Sequence, residues 1–119
     1  MFGFEKLDVW QKSLEFADEI YKTTASFPTD ERFGLTNQLR RAAVSISSNI
    51  AEGSGRNSNA EFSRFISIAY GSVMECVSQL HIARRQQLIT EAGFDQLVKL
   101  ADELSRMLSG LKSSLRNHD

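Results

Sequence analysis

Proline occurs once, at Pro28, and glycine seven times in 119 residues. A sandwich or barrel needs a turn every few residues, and turns draw on those two residue types, so the scarcity argues against an all-β fold and leaves long uninterrupted stretches that suit helices. One cysteine, Cys76, cannot form an internal disulfide, and the opening MFGFEKLDVWQ has no basic region, apolar run and cleavage site of a secretory signal. The expected compartment is therefore a reducing cytoplasm. No stretch approaches the roughly 18 apolar residues of a membrane span, and no membrane partner is expected. Histidine is limited to His81 and His118, neither with a glutamate three positions before it, so the paired Glu-x-x-His of a di-iron or di-manganese bundle is missing. HExxH, CxxC and CxxCH are missing as well. No metal, cofactor or small-molecule substrate is expected, and the chain reads as a non-enzyme; Glu52, Glu61 and Glu75 are the acids among which catalysis would have to hide.

What is present is a globular composition, 41% hydrophobic and 24% charged, in a length that suits one domain spanning 1–119. Charge is balanced overall at −1 but not along the chain: residues 1–31 carry three lysines against seven acids, and residues 32–85 carry seven cations against three acids. All seven of those cations are arginine, whose planar fork matches carboxylate or phosphate. A local basic surface follows, without the strongly basic balance of a dedicated nucleic-acid binder.

Apolar periodicity predicts an all-α fold of four helices, over about 7–27, 33–52, 59–87 and 91–115. The first seam is Leu7, Trp10, Leu14, Ala17, Tyr21 and Thr24, stopped by Pro28. The second is Leu35, Leu39, Ala42, Ile46 and Asn49, with Thr29, Asp30 and Thr36 as rival N-caps and Gly53 as the C-terminal stop. Ser58 with Glu61 forms a capping box for the third seam, Phe62, Ile66, Ala69, Val73, Cys76, Leu80 and Ala83. Thr90 caps the fourth, which runs from Phe94 through Leu97, Ala101, Leu104, Leu108 and Leu111 to Leu115, with a frayed end after it. Four amphipathic helices with short connections predict an antiparallel up-down-up-down four-helix bundle.

Two surfaces exceed the needs of one bundle. On helix 1, Val9, Phe16, Ile20 and Phe27 make a second stripe about 110° around from the seam. On helix 3, Ser67, Gly71 and Ser78 make a small-residue face away from its seam. Each has two readings, a wide core face or a solvated face on one side and a subunit contact on the other; the subunit contact is favoured, and with it a homo-oligomer. Asn49, polar within a seam, is read as fixing packing register through a hydrogen bond. The turn Gly53-Ser54-Gly55-Arg56 has a superficial likeness to a phosphate cradle, but it follows a helix and lacks a Gly-Lys-Ser/Thr ending. A plain corner between helices is the favoured reading.

The segments FEKLDVWQKSLEFADEIY, FPTDERFGLTNQLRRAAVSISSNIAEGSGR and EFSRFISIAYGSVMECVSQL resemble, in order, the 23S rRNA intervening-sequence proteins, a bacterial four-helix-bundle family. RRAAVSISSNIAEG, from Arg40 to Gly53, carries most of the likeness. Ser47 departs from a common family proline, and Gln86-Gln87 from a usual glycine turn. The resemblance implies assembly as a homopentameric ring. It extends more distantly to the accessory variability protein of diversity-generating retroelements, and so implies RNA or a reverse transcriptase as partners. On that reading Arg40, Arg41, Arg56, Arg64, Arg84 and Arg85 contact phosphates. The competing reading is an oligomeric scaffold or protein-binding adaptor, in which the same arginines form surface or intersubunit ion pairs.

Overall fold

The computed structural model describes residues 1–116. His118 and the expected frayed end lie outside the described residues. Four helices run Asp8–Thr24 (α1), Leu35–Ser54 (α2), Asn59–Arg85 (α3) and Glu91–Arg116 (α4), with short 3₁₀ turns at Gly3–Lys6 and Thr29–Glu31. Among the described residues there is no strand, and the fold is an all-α four-helix bundle. Each helix packs against its neighbours in sequence and α1 closes against α4, while the diagonal pairs keep their backbones apart. The extents of 46 × 22 × 21 Å match two helix diameters across and one long helix along the axis.

Local chemistry explains most of the boundaries. Ser58 caps α3 by accepting from the Glu61 N–H at 3.1 Å, but the Glu61 carboxylate turns to Arg64 instead of completing a box. Thr90 Oγ1 accepts from the Gly93 N–H at 3.0 Å and starts α4. None of the three expected caps serves α2: its N-cap is Gly34, and the Glu31 carboxylate accepts from the Leu35 N–H at 3.3 Å. A side chain four residues upstream reaches the helix because the Thr29–Glu31 turn folds back on it. α1 ends at Thr24, ahead of Pro28, and Phe27 is buried from the following turn.

Gly53 does not stop α2, which continues to Ser54 and runs without a break through Ser47. Its role is close approach: a Cβ there would lie 2.6 Å from Phe65 Cβ and 3.0 Å from Phe62 Cδ1. At the other corner Gln87 takes φ 60°, the left-handed conformation that glycine adopts at no steric cost. The Leu88 N–H bonds to the Ala83 carbonyl at 2.9 Å and the Gln87 N–H to the Arg84 carbonyl at 3.0 Å. These two bonds form a Schellman motif that ends α3 with glutamine in the usual glycine position.

The core corrects the reading of α1. Val9, Phe16, Ile20 and Phe27, expected as a subunit contact, are buried inside the chain's own bundle, with Phe16 and Ile20 fully inaccessible. Of the expected seam, Thr24 is buried and Leu7, Trp10 and Ala17 pack against the core, while Leu14 is 38% exposed and Tyr21 44%. Between the true core residues stand Ser13 and Thr24, both buried, whose hydroxyls bond to the helix's own carbonyls at Trp10 and Ile20. Back-bonded hydroxyls are satisfied without a partner helix, so a row interrupted by them still packs as core. On α2, α3 and α4 the apolar residues of the expected seams do line the core, with Ala43 and Ile50 added to α2 and Asn49 at its edge.

Candidate interaction surface

α3 packs one side against α2 and another against α4, which leaves a third side of this 27-residue helix uncovered. Ser67, Gly71 and Ser78 are exposed there, and a Cβ built on Gly71 meets nothing within 4 Å. Ile68, Met74 and Ile82 share the exposure, at 41%, 42% and 49%. This outer face runs about 22 Å from Ser67 to Ile82 at 1.5 Å per residue and carries one charge, the exposed Glu75 at an angle between those of Ile82 and Ile68. Arg64 and Arg85 stand at its two ends.

The six expected phosphate-binding arginines do not form one patch. Arg56 and Arg64 sit where α2 ends and α3 begins; Arg84 and Arg85 sit at the far end of α3, about 30 Å from Arg64 along the helix. Arg40 and Arg41 belong to the first half of α2. Four of the six are engaged within the chain. Arg40 donates from Nε to Thr24 Oγ1 at 2.8 Å and lies 4.6 Å from the Tyr21 ring centroid, holding the end of α1. Arg56 pairs with Glu52 at 2.8 Å and Arg64 with Glu61 at 3.2 Å, and both guanidiniums lie 4.7 Å from the centroid of Phe65. Arg64 holds the Glu61 carboxyl below the usual range, by hydrogen bond first and by charge second. Arg84 stacks at 3.9 Å on Phe94 and reaches Glu91 at 3.8 Å. Among the described residues only Arg41 and Arg85 of the six have neither an acid partner nor an aromatic one.

The GSGR turn is a corner. Its Gly55 and Arg56 N–H groups bond to the Glu52 and Gly53 carbonyls at 3.2 and 3.1 Å, so they are turned into α2 and away from any anion. Asn49 donates from Nδ2 to the Ser45 carbonyl at 2.8 Å and to Ser45 Oγ at 3.0 Å, and Ser45 Oγ meets Ser72 Oγ at 2.9 Å across to α3. Its polar group is thus absorbed by a link between two helices. Cys76 is fully buried, and burial pushes its thiol up to about 12, far from the thiolate a nucleophile needs. Among the described residues no group of three His, Cys, Asp or Glu side chains is placed to hold a metal ion, and no helix is long and apolar enough to cross a membrane.

No curated protein matches the chain. A solved structure that does match is the crystal structure of a protein of unknown function from the S23 ribosomal protein family of Bacteroides thetaiotaomicron. It is similar to this chain with a TM-score of 0.82 at 26% identity, over 88% of this chain and 95% of that one. The family model described as 23S rRNA-intervening sequence protein matches residues 5–110, which span all of α1, α2 and α3 and most of α4. The chain belongs to the family of 23S rRNA-intervening sequence proteins.

Proposed function

We propose that this chain is a non-enzymatic, homo-oligomeric accessory protein of the cytoplasm, working as a ring of five copies that binds RNA or other nucleic acid through arginines of α2 and α3. The observation that carries the oligomer is the uncovered side of α3, where three large apolar side chains and three small residues lie together without a packing partner. Contiguous exposed apolar surface of this kind marks an interaction site in a protein that otherwise buries its core. The number five rests on the family resemblance, which also brings a reverse transcriptase into consideration as a partner.

The nucleic-acid part of the reading is supported by the arginines that keep donors available, Arg41 above all, and by Arg56, which gives one nitrogen to Glu52 from an exposed corner. Ring assembly repeats each weak contact and raises avidity without adding contacts. The test is RNA binding by the intact oligomer as a function of salt. Binding through phosphates gives a log-log slope of about −0.7 to −0.9 per phosphate contacted. Changing Arg41 and Arg56 together to glutamine is expected to weaken binding and flatten the slope with sedimentation unchanged. The engagement of Arg40, Arg56, Arg64 and Arg84 within the chain favours the second reading, an oligomeric scaffold or protein-binding adaptor with no nucleic-acid role. An intact oligomer that binds no RNA or DNA at low salt establishes that reading over the first.

A further inference from the structure

The groove between α2 and α3 holds two opposite charges that do not meet. It encloses about 340 Å³ and is lined by Gln38, Arg41, Ala42 and Ser45 from α2 and by Glu75 from α3. Among the described residues neither Arg41 nor Glu75 forms an ion pair, although both border the same space. A second groove, of about 490 Å³ between α1 and α2, is bordered by Tyr21, Asn37, Arg40 and Val44 and again by Arg41 and Ser45. The two grooves adjoin over α2, with Arg41 between them.

The carboxylate is held from within the bundle. Gln79, only 6% exposed, donates from Nε2 to Glu75 Oε2 at 3.3 Å and to Gln38 Oε1 at 3.4 Å. Its own Oε1 is buried without a partner, which is destabilising. Turning the amide over would set that oxygen against the Glu75 carboxylate and Gln38 Oε1, so the orphaned acceptor follows from fixing these two groove residues. Gln38 accepts through Oε1, and its Nε2 is the end it offers as a donor.

The groove thus presents donors on its α2 side, from Arg41 and Gln38, and a carboxylate on its α3 side. A ligand that fits it carries acceptors on one edge and two parallel N–H donors on the next. Guanine is the nucleobase with that set: O6 and N7 accept from an arginine fork, and N1–H and N2–H donate side by side to a carboxylate. Adenine and cytosine offer a carboxylate only their exocyclic amino group, and uracil only one ring N–H. An acid here repels every phosphate, so on a surface that binds nucleic acid it serves the choice of base and not the affinity.

We infer that the α2–α3 groove takes a guanine base, from single-stranded RNA or from a free guanine nucleotide, with Glu75 accepting from N1–H and N2–H and Arg41 donating to O6 and N7. The adjoining groove, with Arg40 and Asn37, faces the phosphate of the same nucleotide. Unstacked bases of single-stranded RNA are read in this way, by hydrogen bonds to their edges. This rests on the nucleic-acid reading proposed above and names the base it selects.

The experiment measures binding of the intact protein, by fluorescence anisotropy at low salt, to a short oligouridine carrying one central guanosine, inosine or adenosine. Inosine keeps O6, N7 and N1–H and lacks only the N2 amino group. The guanosine oligomer is expected to bind about 5- to 150-fold more tightly than the adenosine one, with inosine between them. Glu75→Gln, at an exposed position, is expected to weaken the guanosine oligomer while leaving the adenosine one unchanged or tighter, because losing an acid favours any RNA. Guanosine monophosphate as competitor separates the two sources: displacement of the oligomer by the mononucleotide at similar concentration assigns the site to free nucleotide, and failure to displace it assigns the site to RNA. Equal binding of the three oligomers, or a Glu75→Gln protein that tightens all three alike, overturns the guanine site and leaves the nucleic-acid reading standing. Binding of guanosine monophosphate with no binding of RNA keeps the site and overturns the RNA reading. Binding of neither overturns both.

Discussion

At the scale of the residue, Gly53 shows how a position is set by what packs on it and not by its backbone. The sequence suggests a helix stop, because glycine commonly follows the last turn. In the bundle it is inside α2, under Phe65 and Phe62. Sequence periodicity cannot express this, since the constraint comes from another helix pressing on a point where any side chain would collide. Gly53→Ala is expected to destabilise the bundle by about 1–3 kcal/mol despite alanine's higher helix propensity, because the clash is with a Cβ that cannot rotate away. Gly110, also within a helix but with open space at its Cβ, is the control: Gly110→Ala is expected to stabilise by up to about 1 kcal/mol. Urea unfolding of both variants checks the pair, and a stabilised Gly53→Ala contradicts the packing. The arginines teach the same lesson, since residue type announced a fork for phosphate and only the fold shows Arg40 bound to the end of α1.

At the scale of the element, legibility followed how cleanly a helix separates apolar from polar positions. α3 was readable because Ile66, Ala69, Val73, Cys76, Leu80 and Ala83 form an unbroken row, all buried. α1 was not, because its apolar residues spread over two rows and the row of Phe16 and Ile20 is interrupted by Ser13, whose buried hydroxyl is satisfied by its own helix. The row through Leu14 and Tyr21 therefore attracted the core assignment, and Val9, Phe16, Ile20 and Phe27, all buried, were left for a subunit contact. The α3–α4 corner gives a sharper case. Gln87 is the sole described residue other than glycine with positive φ, and an L side chain there crowds the following carbonyl at a cost of roughly 1–2 kcal/mol. Part of that is returned when glycine's greater freedom in the unfolded chain is counted. Gln87→Gly is thus expected to raise stability by about 0.5–1 kcal/mol, read as a higher denaturant midpoint at unchanged slope. A lower midpoint would show that the glutamine side chain contributes a contact that outweighs the strain.

At the scale of the whole molecule, the fold was legible and the surfaces were legible only in kind. Surplus apolar rows on α1 and α3 were visible in the sequence, but which of the two α1 rows was the surplus depended on how the four helices face one another, and that is a property of the assembled bundle. A single comparison separates the two arrangements. Phe16 is fully buried among residues of other helices, so Phe16→Glu removes a large core side chain and buries a charge with no partner. Truncation of a buried Phe alone costs about 3–5 kcal/mol, a large part of the roughly 5–15 kcal/mol that holds a domain together. Loss of cooperative unfolding and of much of the helical signal is expected. Leu14→Glu, two positions earlier on the same helix, changes a residue already in contact with water and is expected to alter the unfolding midpoint of the separated subunit by no more than about 0.5 kcal/mol. Circular dichroism and thermal unfolding of the two variants, measured below the assembly concentration, give this contrast directly. The opposite order, with Phe16→Glu folded and Leu14→Glu unfolded, would return the exposed row to the core and turn α1 by about a third of a turn within the bundle.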